Sequence, residues 1–286
     1  IFVDFYGVII KFIGNSYSSP QLAFFRNFFA LIPIILLLII TRDIKNIFVG
    51  ISKKFLFLCF LRGISFVLMQ IFYYISIINM NFATATTLTF SSPIFIVVLS
   101  MLVLKEKIGL FRWSAIFIGF GGVLLIMNPT SELFSYISIL PLLAALCWAI
   151  SNIVLKFIPE DISSVKINFY SINFSYIGSL IILLFSSDFS PVENSFDWLL
   201  LILIGILGGI ASILFSFAYR VVSPSTLAPF EYLGIPSSFI LGWIFFYEAP
   251  IGQLFPGVLG IVAAGFIIIW REKKLSIGKI VSNKIH

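Results

Sequence analysis

The stretch "TLAPFEYLGIPSS", Thr226 to Ser238, sets an acid, Glu231, between Pro229 and Pro236 inside a long run of apolar and small residues. The same character extends outward in both directions. Over 286 residues the chain is 60% hydrophobic and only 10% charged, whereas a soluble domain carries about a quarter charged residues. It is therefore expected to be all-α and to live in a lipid bilayer. A helical span needs about 20 mostly apolar residues. Ten such segments are legible: Ile1 to Ile13, Gln21 to Ile40, Phe55 to Ile78, Ala83 to Leu104, Leu110 to Met127, Ile137 to Ile158, Ile167 to Phe185, Trp198 to Tyr219, Ser223 to Phe246 and Leu254 to Trp270. Their continuous hydrophobicity suits helices rather than the alternating strands of a barrel. The short first segment and the opening on Ile1 suggest that a few N-terminal residues are missing.

The net charge of +6 is distributed as a topology signal. One set of connections carries Arg42, Lys45, Lys53 and Lys54, then Lys105, Lys107 and Arg112, then Lys156 and Lys166, then Arg220, and finally a basic tail. The alternate connections carry neither Lys nor Arg. By the positive-inside rule the basic set and both termini are cytoplasmic. This pattern gives no reason to expect a nucleic-acid partner.

Internal repetition is the next signal. A shift of 143 residues carries Pro93 onto Pro236, and Ile108 and Gly109 onto Ile251 and Gly252; a shift of 145 carries Lys11 onto Lys156. The helix-ending "KEKIG", Lys105 to Gly109, meets "EAPIG", Glu248 to Gly252, with its lysines gone. Five spans per copy is an odd number, so the second copy enters the bilayer upside down and its matching loop faces the other side. The expected organisation is a first repeat over 1–128, an inverted second repeat over 137–271, and a basic cytoplasmic tail over 272–286.

Ionisable groups inside a span cost about 2.5 to 3.5 kcal/mol on insertion scales, so Asp4, Lys11, Arg26, Arg62 and Glu231 each need a partner or a task. Glu231 lies near mid-depth, and Gly234, Ser238 and Gly242 share its helix face. Pro93, Pro229 and Pro236 are expected to break their helices and free carbonyls there, a common construction in transporter sites. Glu231 is read either as a binding or proton-carrying acid or as one half of a buried ion pair with Arg62 or Arg26. Asp4 and Lys11 serve either a solute path or packing. The Gly205-xxx-Gly209 spacing and its small neighbours point to close helix packing more than to ligand contact. Cys59 and Cys147 read as small core residues.

The one histidine is the terminal His286, so no histidine metal site or Ser/His dyad is expected within the membrane, and no Walker loop appears. No cofactor or metal is anticipated. A second class remains open, a non-transporting module such as a lipid-modifying enzyme or scaffold subunit, which would show a dry interface between the halves.

"ATATTLTFSSPIF" in the fourth span, the following "LKEKIGLFRWSAIFIGFGGVLLI" and "STLAPFEYLGIPSSFILGWIFFYEAP" in the ninth resemble the EamA family of the drug/metabolite transporter superfamily. The similarity extends toward its S-adenosylmethionine uptake branch. Glu106 and Glu248 are its most recognisable positions. The resemblance implies a permease of the bacterial inner membrane that moves a small polar metabolite, such as an amino acid, S-adenosylmethionine or a nucleoside-like compound, by alternating access. It implies a cavity between two inverted five-helix halves, with Tyr73, Ser91, Trp148, Asn152, Ser216, Tyr219, Glu231 and Tyr232 as lining candidates. A monomer already holds both halves, and a homodimer is compatible.

Overall fold

The computed structural model describes residues 2–127, 136–186 and 188–247, with four further positions at 259, 260, 263 and 267. Glu248, most of the tenth apolar segment and the 272–286 tail lie outside the described residues. The described residues are helical: α1 (Phe2–Ile13), α2 (Ser19–Ile40), α3 (Lys53–Asn79), α4 (Phe82–Thr89), α5 (Ser92–Val103), α6 (Leu110–Met127), α7 (Ile139–Val154), α8 (Ser164–Ser186), α9 (Ser195–Val221), α10 (Pro224–Leu227) and α11 (Gly234–Phe246). Five helical stretches, Ser19–Ile40, Lys53–Asn79, Ile139–Phe157, Ser164–Ser186 and Ser195–Val221, are long and apolar enough to cross a membrane. Three starts are capped as the sequence dictates. Ser18, Ser52 and Asn194 side chains accept the amides of Gln21, Phe55 and Phe196.

The fourth and ninth apolar segments are each interrupted. The fourth stops after Thr89 and resumes at Ser92; the ninth passes through a 3₁₀ stretch, Ala228–Leu233, before resuming at Gly234. The cause is written in the prolines. Pro93 and Pro236 stand in the first turn of the resumed helix, where a missing N–H costs nothing, while their rings would clash with the carbonyl four residues earlier in a continuous helix. Pro229 falls in the opening turn of the 3₁₀ stretch.

The five long helices form the centre of the molecule. α2 lies against α8 and α9, α3 against α7 and α8, and α1 against α9 and α11. Glycines permit the closest approaches. A Cβ added to Gly205 would fall 2.2 Å from Phe29 Cβ, and one on Gly209 would fall 2.8 Å from the Ala30 carbonyl. The GxxxG stripe is thus a seat for α2.

The basic connections gather at one end. Lys166 Nζ donates to the Asn46 carbonyl at 3.0 Å, and Lys156 Nζ to the Arg220 carbonyl at 3.1 Å. Arg220 donates to the Pro159 and Ile162 carbonyls, and Arg112 to Ser225 Oγ at 3.0 Å. The opposite end ties the other connections together: Tyr17 Oη donates to Asp197 Oδ2 at 2.7 Å, and Gln21 exchanges hydrogen bonds with the Ser190 backbone. Burial, then Asp197 beside it, pushes the Tyr17 hydroxyl up to about 12.

Candidate functional site

The two interruptions touch each other, through Ser92 and Glu231, and together line a cavity of about 550 Å³. Its walls come from α1, α3, α4, α7, α9, the 3₁₀ stretch, the last residue of α10 and the first residues of α5 and α11 acting together. Seven aromatic rings (Phe2, Tyr6, Tyr73, Phe90, Trp148, Phe215 and Phe230) line it, with Thr86, Thr89 and Ser92 as neutral polar groups and Asp4 and Glu231 as its acids. No Lys or Arg is among the lining residues.

Glu231 is half-buried on this wall and is held by three neutral donors from three different elements. Trp148 Nε1 donates to Oε1 at 2.9 Å and Tyr219 Oη to the same oxygen at 2.5 Å, while Ser92 Oγ donates to Oε2 at 2.8 Å. An ionised carboxylate has about four acceptor positions; Oε1 is fully used, and Oε2 keeps one. The 3₁₀ stretch matters here because it turns the acid out of the helix ladder. Asp4, in the first turn of α1, is buried and accepts a hydrogen bond from Ser237 Oγ in the first turn of α11.

The sequence nominations separate into two groups. Tyr73, Trp148, Glu231 and Asp4 line the cavity. Tyr219 stands behind Glu231, fully buried, as a support. Ser91, Asn152, Ser216 and Tyr232 are buried away from the lumen. The Asn152 amide donates to the Trp148 carbonyl at 3.0 Å, one turn back on α7, while the hydroxyls of Ser91 and Tyr232 have no partner among the described residues. Ser92 takes the place expected of Ser91 because the helix restarts there, shifting the lumen-facing position by one residue. The aromatic walls at Phe90, Phe215 and Phe230 were not singled out, since phenylalanine is abundant everywhere in this chain.

The ion-pair alternative for Glu231, with Arg62 or Arg26, is not what the described residues show. Arg62, buried on α3, donates to Asn168 Oδ1 at 3.3 Å and to Ser216 Oγ at 2.7 Å. Arg26 donates to Asn27 and to the Gly208 carbonyl, with its guanidinium 4.8 Å from the Phe66 ring centre. The physical reason is geometric: both guanidiniums find buried amide, hydroxyl and carbonyl acceptors within reach of their own helices, and Glu231 is turned toward the lumen.

With fold and site in hand, comparisons place the chain. It belongs to the EamA-like transporter family, whose model matches residues 1–128 and again 135–270. It is accordingly a multi-pass membrane protein. A solved crystal structure superposes with a TM-score of 0.69 at 16% identity, covering 96% of this chain and 97% of that one, a likeness in fold. An S-adenosylmethionine uptake transporter of Rickettsia bellii is 29% identical over 96% of this chain and 91% of its own length. A riboflavin transporter of Vibrio cholerae is 32% identical over 65% of this chain, and the chain spans 62% of that relative's length. A pseudopaline exporter of Pseudomonas aeruginosa is 25% identical over 93% and 91% of the two chains.

Proposed function

We propose that the chain is a secondary active transporter of the bacterial inner membrane that carries a small polar organic metabolite through the Glu231 cavity by alternating access. The observation that carries this reading is the acid itself: a carboxylate on the wall of a mid-chain cavity, held by Ser92, Trp148 and Tyr219 rather than by a counter-charge. Ionisable groups within apolar spans mark solute or proton paths by default, and this one lines the cavity.

Alternating access follows from two inverted five-span halves, and several features support that architecture. The interruptions coincide under the 143-residue shift, since Ser91 maps onto Gly234 and Pro93 onto Pro236. Contacts between helices exchange in pairs: α2 with α9 against α8 with α3, and α3 with α7 against α9 with α1. A 145-residue shift carries Gly63 onto Gly208 and Arg26 onto Ser171. Both resulting pairs are close, with a Gly63 Cβ 2.6 Å from the Ser171 carbonyl and a Gly208 Cβ 2.5 Å from Arg26 Nε. The basic end would face the cytoplasm. A protomer holds both halves, so a monomer suffices and a homodimer adds no missing wall.

The substrate belongs to the range of amino acids, S-adenosylmethionine and nucleoside-like compounds. Relatives matched over nearly the whole chain bear names of this kind. Proton coupling would use the remaining acceptor position on Oε2, because Ser92 can reverse its hydroxyl whereas the Trp148 indole can only donate. The test is uptake of radiolabelled amino acids, S-adenosylmethionine, nucleosides and riboflavin into sealed proteoliposomes, with and without an imposed pH gradient. Accumulation of one of these by the wild type and its loss in Glu231→Gln is expected; equal uptake by the variant would remove the acid from the mechanism.

A further inference from the structure

We infer that a groove on the outer face of the helix bundle holds an anionic phospholipid, with an acyl chain in an apolar trough and the head-group phosphate on Lys54 and Lys105. A further cavity, of about 330 Å³, lies between α3, α5 and α7; it shares no lining residue with the Glu231 cavity, and its lining is entirely Leu, Ile, Val and Phe. Leu58, Ile153 and Val154 form a buried floor, while Leu61, Val103 and Phe157 form an exposed rim. A cavity without polar walls takes no water. In a protein that lives in a bilayer, the atoms left to fill it are hydrocarbon, and lipid tails are as apolar as leucine. The trough therefore fixes where a chain lies, and selection among lipids has to come from the head group.

Charge at the mouth supplies that selection. The α3 wall, Leu58 and Leu61, continues at helical spacing to Lys54, one turn nearer the helix start, so that lysine stands on the groove's own stripe. The α5 wall ends on Val103, just before Lys105. Both lysines are exposed, and neither side chain makes a hydrogen bond or ion pair among the described residues. Their neighbours are committed elsewhere: Glu106 accepts from Ser225 Oγ, and Lys156 donates to the Arg220 carbonyl. Nor does the fold gain from Lys54, since a cation in the first turn of a helix opposes its dipole. The positive-inside rule accounts for lysines at this end of the molecule, but it does not ask one of them to extend the stripe of a groove. Basic side chains at the mouth of a crevice between helices suit a lipid phosphate. The same groove joins α5 to α7, whose Ser92 and Trp148 hold Glu231, so a seated lipid braces the helices that carry the acid's donors.

The test is native mass spectrometry of the detergent-purified full chain offered equal amounts of dioleoyl phosphatidylglycerol and dioleoyl phosphatidylcholine, which share tails and differ in head-group charge. The wild type should retain the anionic lipid about fivefold or more over the zwitterionic one, the worth of one lysine beside a lipid phosphate. Lys54→Gln and Lys105→Gln should each lower retention of the anionic lipid about fivefold and leave the zwitterionic lipid within about twofold. Arg42→Gln combined with Lys45→Gln removes charge from the same end, on the connection that follows α2, and should keep the preference. Leu61→Trp, at the exposed rim, fills the trough and should lower retention of both lipids alike. Equal retention of the two lipids by the wild type overturns the inference, as does an equal loss of preference in the Arg42→Gln, Lys45→Gln chain. Displacement by soluble glycerol phosphate overturns it too, since the tail would then play no part. A dimer that Leu61→Trp dissociates would put a second copy of the chain in the groove instead. Binding is read without transport, so failure here leaves the carrier reading untouched, and absence of uptake leaves this inference untouched.

Discussion

Glu231 and Arg62 are two of the charges inside apolar segments that the sequence flags in the same way, yet the fold treats them in opposite ways. Arg62 is sealed among α3, α8 and α9, where Asn168 and Ser216 accept its protons and themselves bond onward to the Ser164 and Ser212 carbonyls. Glu231 receives three donors and keeps one side on the lumen, whereas Arg62 has two acceptors and a buried Nε with no partner among the described residues. An incomplete set of hydrogen bonds therefore does not mark the working charge. Access to a cavity does.

The comparison can be broken or sharpened by substitution. The largest effect is expected for Glu231→Gln, which keeps size and acceptor Oε1 but removes the charge; transport should fall about a hundredfold or more while thermal stability in detergent changes little. Uptake retained at wild-type level would erase the contrast with Arg62. Next, Gly205→Leu drives a side chain into the α2 backbone at Phe29 and should destabilise by about 3 kcal/mol. A lowered thermal midpoint in that variant, with none in Gly121→Ala, would be the check, because Gly121 lies in α6 with nothing within 4 Å of the position a Cβ would take.

Arg62→Met should then cost about 1 to 3 kcal/mol of stability, since it leaves Asn168 and Ser216 with fewer partners. Ligand affinity measured on the surviving folded fraction should be unchanged; a matched loss of affinity would place Arg62 in the transport path after all. The smallest effect concerns the end tie. With the Tyr17 hydroxyl raised above its ordinary value, its bond to Asp197 contributes fully below about pH 10 and is lost as pH rises toward about 12. Tyr17→Phe should abolish that alkaline component of the melting profile and nothing else.

Several features of this protein were legible before any coordinates. Proline spacing told where the fourth and ninth segments break, because a missing amide and a ring clash are local facts. The alternation of lysine and arginine told which connections share an end, and the structure gathers those connections together. The GxxxG stripe told of close packing, and α2 sits on it.

Other features required the tertiary structure. The sequence by itself determined that the chain is a bundle of apolar helices with a costly acid, Glu231, at a proline-broken segment, since hydropathy, charge and proline act over one turn or one span. Only the tertiary structure decided that Trp148, Tyr219 and Ser92 converge on that acid, that Ser92 rather than Ser91 reaches it, and that Arg62 turns elsewhere. The physical reason is that hydrogen-bond partnership depends on the rotation of helices about their own axes. A 100° turn per residue is invisible to composition, and in an apolar helix almost every face looks alike until its neighbours are in place.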